Sequence, residues 1–277
     1  MPELPEVETI ARALAAEAAG RTVAAVHCCD PSALAPTPEA FAALVSGRRI
    51  EAIDRRGKLL VLNLSGGAQI GVHLRMTGRL FFLPPGPKAC MEPERPRAVL
   101  ELDDGSALSF SDVRRFGSMT AFAAHEIEAW PFYKSLGPEP FDLDAAAFSL
   151  RLGSGAARIK ARLLDQTVIA GVGNIYADES LFRAGIRPDA PTKSVSRAKR
   201  SKLFAALIEV LALAIAENGS SIRDYRDAHG DAGAFQNHFR AYGRAGQPCT
   251  ACGAAMQSMR VAGRTSTYCP RCQPARG

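Results

Sequence analysis

Met1-Pro2-Glu3-Leu4-Pro5-Glu6-Val7-Glu8 opens the chain, and it carries two readings at once. Removal of Met1 turns the Pro2 nitrogen into a free secondary amine. An α-amine titrates near pH ~8, so a nucleophilic fraction exists at neutral pH. Such an amine can attack a sugar carbon or a carbonyl and form a covalent iminium, as lysine does in Schiff-base enzymes. A secondary amine has no second N–H to lose, so the adduct stays cationic and acidifies the neighbouring C–H, which suits eliminations. The same residues also read as a helix start. Pro5 fits the first turn, and Glu3, Glu6 and Glu8 favour the positive helix N-terminus. Val7, Ile10, Ala11, Leu14 and Ala18 recur at helical spacing and would face a core. The stretch alone leaves both readings open.

Working outward, residues from about 22 to 123 read as strands and turns. Lys58-Leu59-Leu60-Val61-Leu62-Asn63-Leu64 precedes Ser65-Gly66-Gly67, a hairpin signal, and a second apolar run follows. In that run Ile70, Val72, Leu74 and Met76 share one parity, which makes Met76 a candidate core residue, while His73 and Arg75 share the other. Five prolines between residues 84 and 96 mark a loop. Further strands are expected around Ala98–Leu102 and Ala107–Phe110, joined by Asp103-Asp104-Gly105. Short strands with frequent turns point to a sandwich or barrel.

A Pro- and Gly-bearing stretch from Trp130 to Phe141 reads as a connection, and beyond it the periodicity turns helical. Leu203, Phe204, Leu207, Ile208, Leu211 and Ile215 form a stripe that stops at Asn218-Gly219. Gly171-Val172-Gly173-Asn174 precedes another helix; it can be a plain turn with Asn174 as N-cap, or a place where backbone N–H groups and Asn174 meet a phosphate. A segment from Asp224 to Phe239, rich in Gly, Asp and His, reads as mobile. Cys249-x2-Cys252 and Cys269-x2-Cys272, sixteen residues apart, have the spacing of a four-thiolate zinc site with no open coordination position, hence a structural metal. Cys28, Cys29 and Cys90 show no ligand spacing.

Composition sets the bounds. With 277 residues and 47% hydrophobic content, the chain has room for about two cored domains and a small appendage, which excludes a disordered chain. No apolar run approaches the ~18 residues of a membrane span, and the acidic start is unlike a signal peptide, so a cytoplasmic protein is expected. Net charge is +6, and from Ala241 onward Arg244, Arg260, Arg264, Arg271 and Arg276 stand without any Asp or Glu, a lean toward a polyanionic partner.

Together with Arg56-Gly57-Lys58, His73-Leu74-Arg75-Met76-Thr77-Gly78, Asp112-Val113-Arg114-Arg115-Phe116-Gly117, Leu136-Gly137-Pro138-Glu139-Pro140 and Gly171-Val172-Gly173-Asn174-Ile175-Tyr176-Ala177, these pieces resemble the bacterial formamidopyrimidine-DNA glycosylase family over essentially the whole chain. The resemblance implies an α+β multidomain fold: an N-terminal helix-capped β-sandwich over 1–130, a linker over 131–145, a helix-two-turn-helix domain over 146–236 and a β-hairpin zinc finger over 240–274. It implies a DNA glycosylase with abasic-site lyase activity that excises oxidised purines from double-stranded DNA, acts as a monomer and holds one structural zinc on Cys249, Cys252, Cys269 and Cys272. By the same resemblance the catalytic residues are Pro2, Glu3, Glu6, Lys58 and Arg264. His73, Lys160, Asn174 and Arg264 would hold DNA phosphates, with Arg95 a further DNA contact. Met76, Arg114 and Phe116 would fill the hole left by a flipped nucleotide. Where the family often has a His before the strand at Ala98, this chain has Arg95 or Arg97. Two alternatives stand beside this reading: the endonuclease VIII-type sister branch, which prefers oxidised pyrimidines and typically starts Pro-Glu-Gly-Pro-Glu, and a damaged-DNA-binding relative without catalysis. Leu4 favours the purine branch.

Overall fold

The computed structural model describes residues 2–86, 95–221 and 227–275. Met1, Pro87, Cys90, Pro93, residues 224–226 of the Gly-, Asp- and His-rich segment, and Arg276 lie outside the described residues. The chain forms two compact units, Met1–Lys134 with Glu217–Ala234, and Ser135–Ala216 with Phe235–Gly277.

The first unit begins with α1 (Leu4–Ala18). Glu3 is its N-cap, and Glu3 and Glu6 form a reciprocal capping box, so the acidic start does serve a helix N-terminus. There follow β1 (Val23–Cys28), β2 (Leu34–Ala35), α2 (Pro38–Val45), β3 (Ile50–Arg56), β4 (Leu59–Leu64), β5 (Gln69–His73), β6 (Gly78–Leu83), β7 (Ala98–Leu102), β8 (Ala107–Asp112) and β9 (Ser118–Phe122), then the short helices α3 (Glu126–Ala129) and α4 (Pro131–Ser135). Strands pair in a sheet of order β1-β7-β8-β6 and another of order β2-β9-β5-β4-β3. Leu62, Ile70 and Val72 of one sheet and Leu100, Leu108 and Phe110 of the other share a single core with Val7, Ile10 and Leu14 of α1. Each fully buried side chain of this kind stabilises the fold by about 1.5–3 kcal/mol. β4 and β9 are buried on their second face as well, because Leu59, Val61 and Phe122 pack under Ile127, Trp130 and Phe132. That second layer explains why β4 reads as a continuous apolar run rather than an alternating one.

Residues 217–234, which the sequence reading groups with the helical domain, pack in the first unit. Ala228 is fully buried in the sandwich core, and its carbonyl accepts from the Phe82 N–H at 3.1 Å. Ala234 N–H donates to the Glu217 carbonyl at 2.8 Å, so the segment leaves and returns at one place. The stretch expected as a linker carries α4 and a turn of 3-10 helix at Pro140–Asp142.

The second unit holds α5 (Ala145–Leu152), α6 (Ile159–Leu164), α7 (Asn174–Ala184), α8 (Arg197–Ala216) and a hairpin of β10 (Gln257–Val261) and β11 (Arg264–Tyr268). The stripe Leu203, Leu207 and Leu211 is buried, joined by Val210 and Ala214, and Phe204 meets Phe148 of α5 at 5.2 Å. Among the described residues no helix is long and apolar enough to cross a membrane.

Candidate active site and zinc finger

Strand pairing gathers the chemistry of the first unit at one end of the sandwich. β3 ends where β4 begins, at Arg56-Gly57-Lys58-Leu59, and Gly57 takes the positive φ (60°) that a two-residue hairpin demands. Leu59 pairs with His73 at the end of β5, and His73 pairs with Ser118 at the start of β9. Gly78, first in β6, pairs with Asp112, last in β8. The turns 74–77 and 113–117 therefore cross between the two sheets at the same end as the Lys58 hairpin. α1 is tied to this end by Arg55, whose Nε donates to Glu8 at 2.8 Å.

Pro2, Glu3 and Glu6 are buried. Glu6 Oε2 accepts from the Glu3 N–H at 2.8 Å, and its Oε1 accepts from Ser220 N–H at 2.8 Å and Ser220 Oγ at 3.1 Å. Glu6 thus holds the peptide next to Pro2 on one side and the base of the 217–234 segment on the other. A Cβ on Gly219 would stand 2.9 Å from Glu6 Cγ, so only glycine admits this approach. Lys58 is largely buried, at 8% exposure, although nothing in its sequence surroundings marks it as other than a surface lysine. His73 is buried against Phe132, ring to ring at 5.5 Å, and its Nδ1 accepts from the Arg75 N–H at 3.1 Å. Burial first, then the charges of Arg75 and Lys58, push its pKa down to about 4. The imidazole is neutral at physiological pH with its proton on Nε2, a donor without a charge.

Met76 departs from the parity of Ile70, Val72 and Leu74. β5 stops at His73, Arg75 turns left-handed (φ 55°), and Met76 emerges 45% exposed while Leu74 stays buried. Phe116 is 55% exposed on the neighbouring turn. Arg114 lies between them, its Nη1 3.1 Å from Met76 Sδ and its guanidinium 4.8 Å over the Phe116 ring. The three residues singled out from the sequence form one exposed cluster. Arg95 is exposed. Arg97, its alternative, is buried and bonded to Asp30, Ser32 and the Gly117 carbonyl, which leaves it no free face for a ligand.

In the second unit the hairpin turn Ala262-Gly263 has positive φ at both positions (50° and 72°), and Arg264 follows it, exposed. Asn174 is the first residue of α7 rather than its N-cap, which is Gly173; its Nδ2 donates to the Thr265 carbonyl at 3.1 Å. Lys160 lies inside the second unit. It is fully buried, and its ammonium reaches Asp178 Oδ1 at 2.7 Å, Ser266 Oγ at 2.6 Å and the Thr265 carbonyl at 3.3 Å. These bonds let Lys160 fix the strand that begins with Arg264. Burial pushes Asp178 up to about 6, outweighing the attraction of Lys160.

The four finger cysteines bring their sulfurs within 4.8 Å of one another, with Cys252 and Cys269 at 3.5 Å and Cys249 and Cys272 at 3.9 Å. A tetrahedron with Zn–S of ~2.3 Å has edges of about 3.8 Å, so the set fits zinc. Burial and the neighbouring cysteines push the Cys272 thiol up to about 12.

The sequence reading left Asp112, Asp30, Arg115 and Ser220 without roles. Asp112 had a local signal, because an Asp whose side chain takes the N–H two residues on nucleates a turn. Ser220 had none, since its partner Glu6 lies far away in sequence.

Comparison with known proteins agrees along the whole length. Residues 1–119 match the formamidopyrimidine-DNA glycosylase N-terminal domain, residues 136–226 its H2TH domain, and residues 246–275 the zinc finger found in FPG and IleRS. A formamidopyrimidine-DNA glycosylase of Chloroflexus aggregans is 45% identical over 99% of this chain and 98% of its own. The crystal structure of the MutM (Fpg) protein from Thermus thermophilus superposes with a TM-score of 0.86 at 42% identity, covering 98% of each chain. The Lactococcus lactis Fpg in complex with DNA containing an abasic site gives 0.90 at 33% identity over 98% of this chain and 99% of that one. The helix-capped sandwich, the helical domain and the four-cysteine hairpin are those of one family: the chain belongs to the formamidopyrimidine-DNA glycosylases.

Proposed function

We propose that this chain is a base-excision-repair glycosylase and abasic-site lyase that removes oxidised purines from double-stranded DNA. The observation that carries the reading is the meeting, at one end of the sandwich, of a buried Pro2-Glu3 terminus, a buried Lys58 and an exposed Met76, Arg114 and Phe116 cluster. The cluster fills the hole in the stack when the damaged nucleotide turns out, and the arginine meets the orphaned base. With Met1 removed, the Pro2 nitrogen attacks C1′ and the base departs with the bond electrons. Glu3 protonates the sugar ring oxygen as the ring opens, leaving a cationic iminium between Pro2 and C1′. Loss of a C2′ proton expels the 3′ phosphate, and a second elimination expels the 5′ phosphate. Lys58 and Arg264 assist these eliminations and hold phosphate charge, while Glu6 places the terminus by its bonds to Glu3 and Ser220.

His73, Arg95 and Asn174 hold the backbone, His73 as a neutral Nε2–H donor. Zinc keeps the finger folded, and Lys160 and Asn174 set the strand that carries Arg264. The protein works as a monomer in the cytoplasm, with Pro2, Glu3 and Lys58 on its first unit and Asn174 and Arg264 on its second. A substrate panel tests the reading: 8-oxoguanine opposite cytosine should be excised at least about tenfold faster than thymine glycol. The reverse preference would assign the chain to the pyrimidine branch.

A further inference from the structure

We propose that Asp112 is the positioning residue that sets the wedge in its working shape before DNA arrives. Asp112 is 4% exposed, and both carboxylate oxygens meet donors of the protein itself. Oδ1 accepts from Thr77 Oγ1 at 2.5 Å and from the Arg114 N–H at 3.1 Å. Oδ2 accepts from the Phe116 N–H at 2.8 Å and the Gly117 N–H at 2.6 Å. One buried carboxylate therefore fastens the residue after Met76 and the backbone of both Arg114 and Phe116. Two of the three wedge residues and the neighbour of the third are thus fastened together, from turns almost forty positions apart in sequence.

Both turns need such a fastening. Arg75 and Arg115 each hold a left-handed backbone (φ 55° and 57°) without being glycine, a conformation that persists only where neighbours over-determine it. Space is also tight behind the second turn, where a Cβ on Gly117 would lie 2.9 Å from the His73 carbonyl and 3.2 Å from Asp112 Oδ2. Arg115 and Arg97 clamp the same turn from behind through Asp30, at 2.7 and 2.8 Å. A wedge held this way enters the duplex without first losing conformational freedom, so the carboxylate acts on the extrusion of the damaged nucleotide and not on the elimination chemistry.

The inference rests on the wedge reading above, and its test separates the two. Asp112→Asn keeps the shape but turns one acceptor oxygen into a donor facing N–H or O–H groups. Thr77→Val removes only the hydroxyl. Three readouts are needed: single-turnover excision of 8-oxoguanine from duplex, strand cleavage at a preformed abasic site, and fluorescence of a 2-aminopurine beside the lesion, which rises on unstacking. Asp112→Asn should lower excision by about tenfold or more and abolish the fluorescence rise, with abasic-site cleavage within about threefold of the parent. Thr77→Val should give a smaller loss, about threefold, on the same two readouts. In a Met76→Ala/Phe116→Ala background, Asp112→Asn should add less than about a further twofold. Equal losses on both substrates, or full additivity in that background, would make Asp112 a general structural residue and overturn the proposal. Should Asp112→Asn fail to fold, Thr77→Val decides, and an unchanged excision rate overturns the proposal. If the Met76→Ala/Phe116→Ala protein excises normally, the wedge reading itself falls; if it is impaired while Asp112→Asn is not, only the inference falls.

Discussion

Two regions of the molecule, one in each unit, spend their side chains in opposite ways. In the second, Lys160 and Asp178 are withdrawn from water, at 0% and 1% exposure, and are spent on fixing the strand that begins with Arg264. In the first, Met76 and Phe116 stand in solvent on two turns anchored by the buried Asp112. The first arrangement costs desolvation and gains a fixed strand; the second leaves apolar area uncovered and gains surface that a DNA stack can use. A charge in the core and a hydrophobe on the surface are each unfavourable alone, and each is placed where it prepares a contact.

The largest effect should come from cutting the buried pair. Lys160→Ala leaves Asp178 without its ammonium in a site that already raises its pKa, which should cost about 3–5 kcal/mol. A thermal melt should show a drop on the order of 10 °C in the transition of the second unit. Lys160→Met with Asp178→Leu should recover most of it, because no charge is then left uncompensated. A single variant with an unchanged melt would mean that water reaches the pair and that the contrast between the units is weaker than drawn.

His73 sharpens the same contrast, since it is buried like Lys160 but neutral. Its folded pKa is about 4 against ~6.5 in an unfolded chain, so unfolding takes up a proton between those values. The stability it contributes is complete above about pH 6.5 and is lost as pH falls toward 4, to a total of about 2–4 kcal/mol. Melting temperature measured against pH should therefore slope downward on acidification across that window, and His73→Gln should flatten the slope. An unchanged slope in the variant would place the titration on another group.

At the exposed end the numbers shrink. Met76→Ala should change stability by less than about 0.5 kcal/mol. Duplex excision should still fall by about tenfold, roughly 1.4 kcal/mol of lost stabilisation of the extruded state. A stability loss in the 2–5 kcal/mol range of core truncations, with normal excision, would return Met76 to the core.

How much of this was legible in the sequence differs by kind of signal. The helix after Pro2, the Leu-rich hairpin, the strands flanking Asp103-Asp104-Gly105, the stripe ending before Asn218-Gly219 and the paired cysteines all rest on local spacing, and the structure has them. Met76 kept strand parity on paper because nothing local announces that Arg75 turns left-handed. The burial of Lys160 was not legible, because burial of a lysine is decided by partners such as Asp178 and Ser266, which a one-dimensional pattern does not bring together. The place of residues 217–234 depends on Ala228 finding the sandwich core and on Glu6 finding Ser220, both contacts between distant parts of the chain. Asp112 was visible as a turn former, but its four bonds appear only once two turns lie side by side.

The central claim is that the Pro2 nitrogen does the chemistry, and it is tested most directly by borohydride reduction during turnover on duplex DNA carrying 8-oxoguanine. The account predicts a covalent protein–DNA adduct that maps to the N-terminal peptide at Pro2 in the chain lacking Met1. Strand cleavage with no trappable adduct, or an adduct mapped to Lys58, would contradict it.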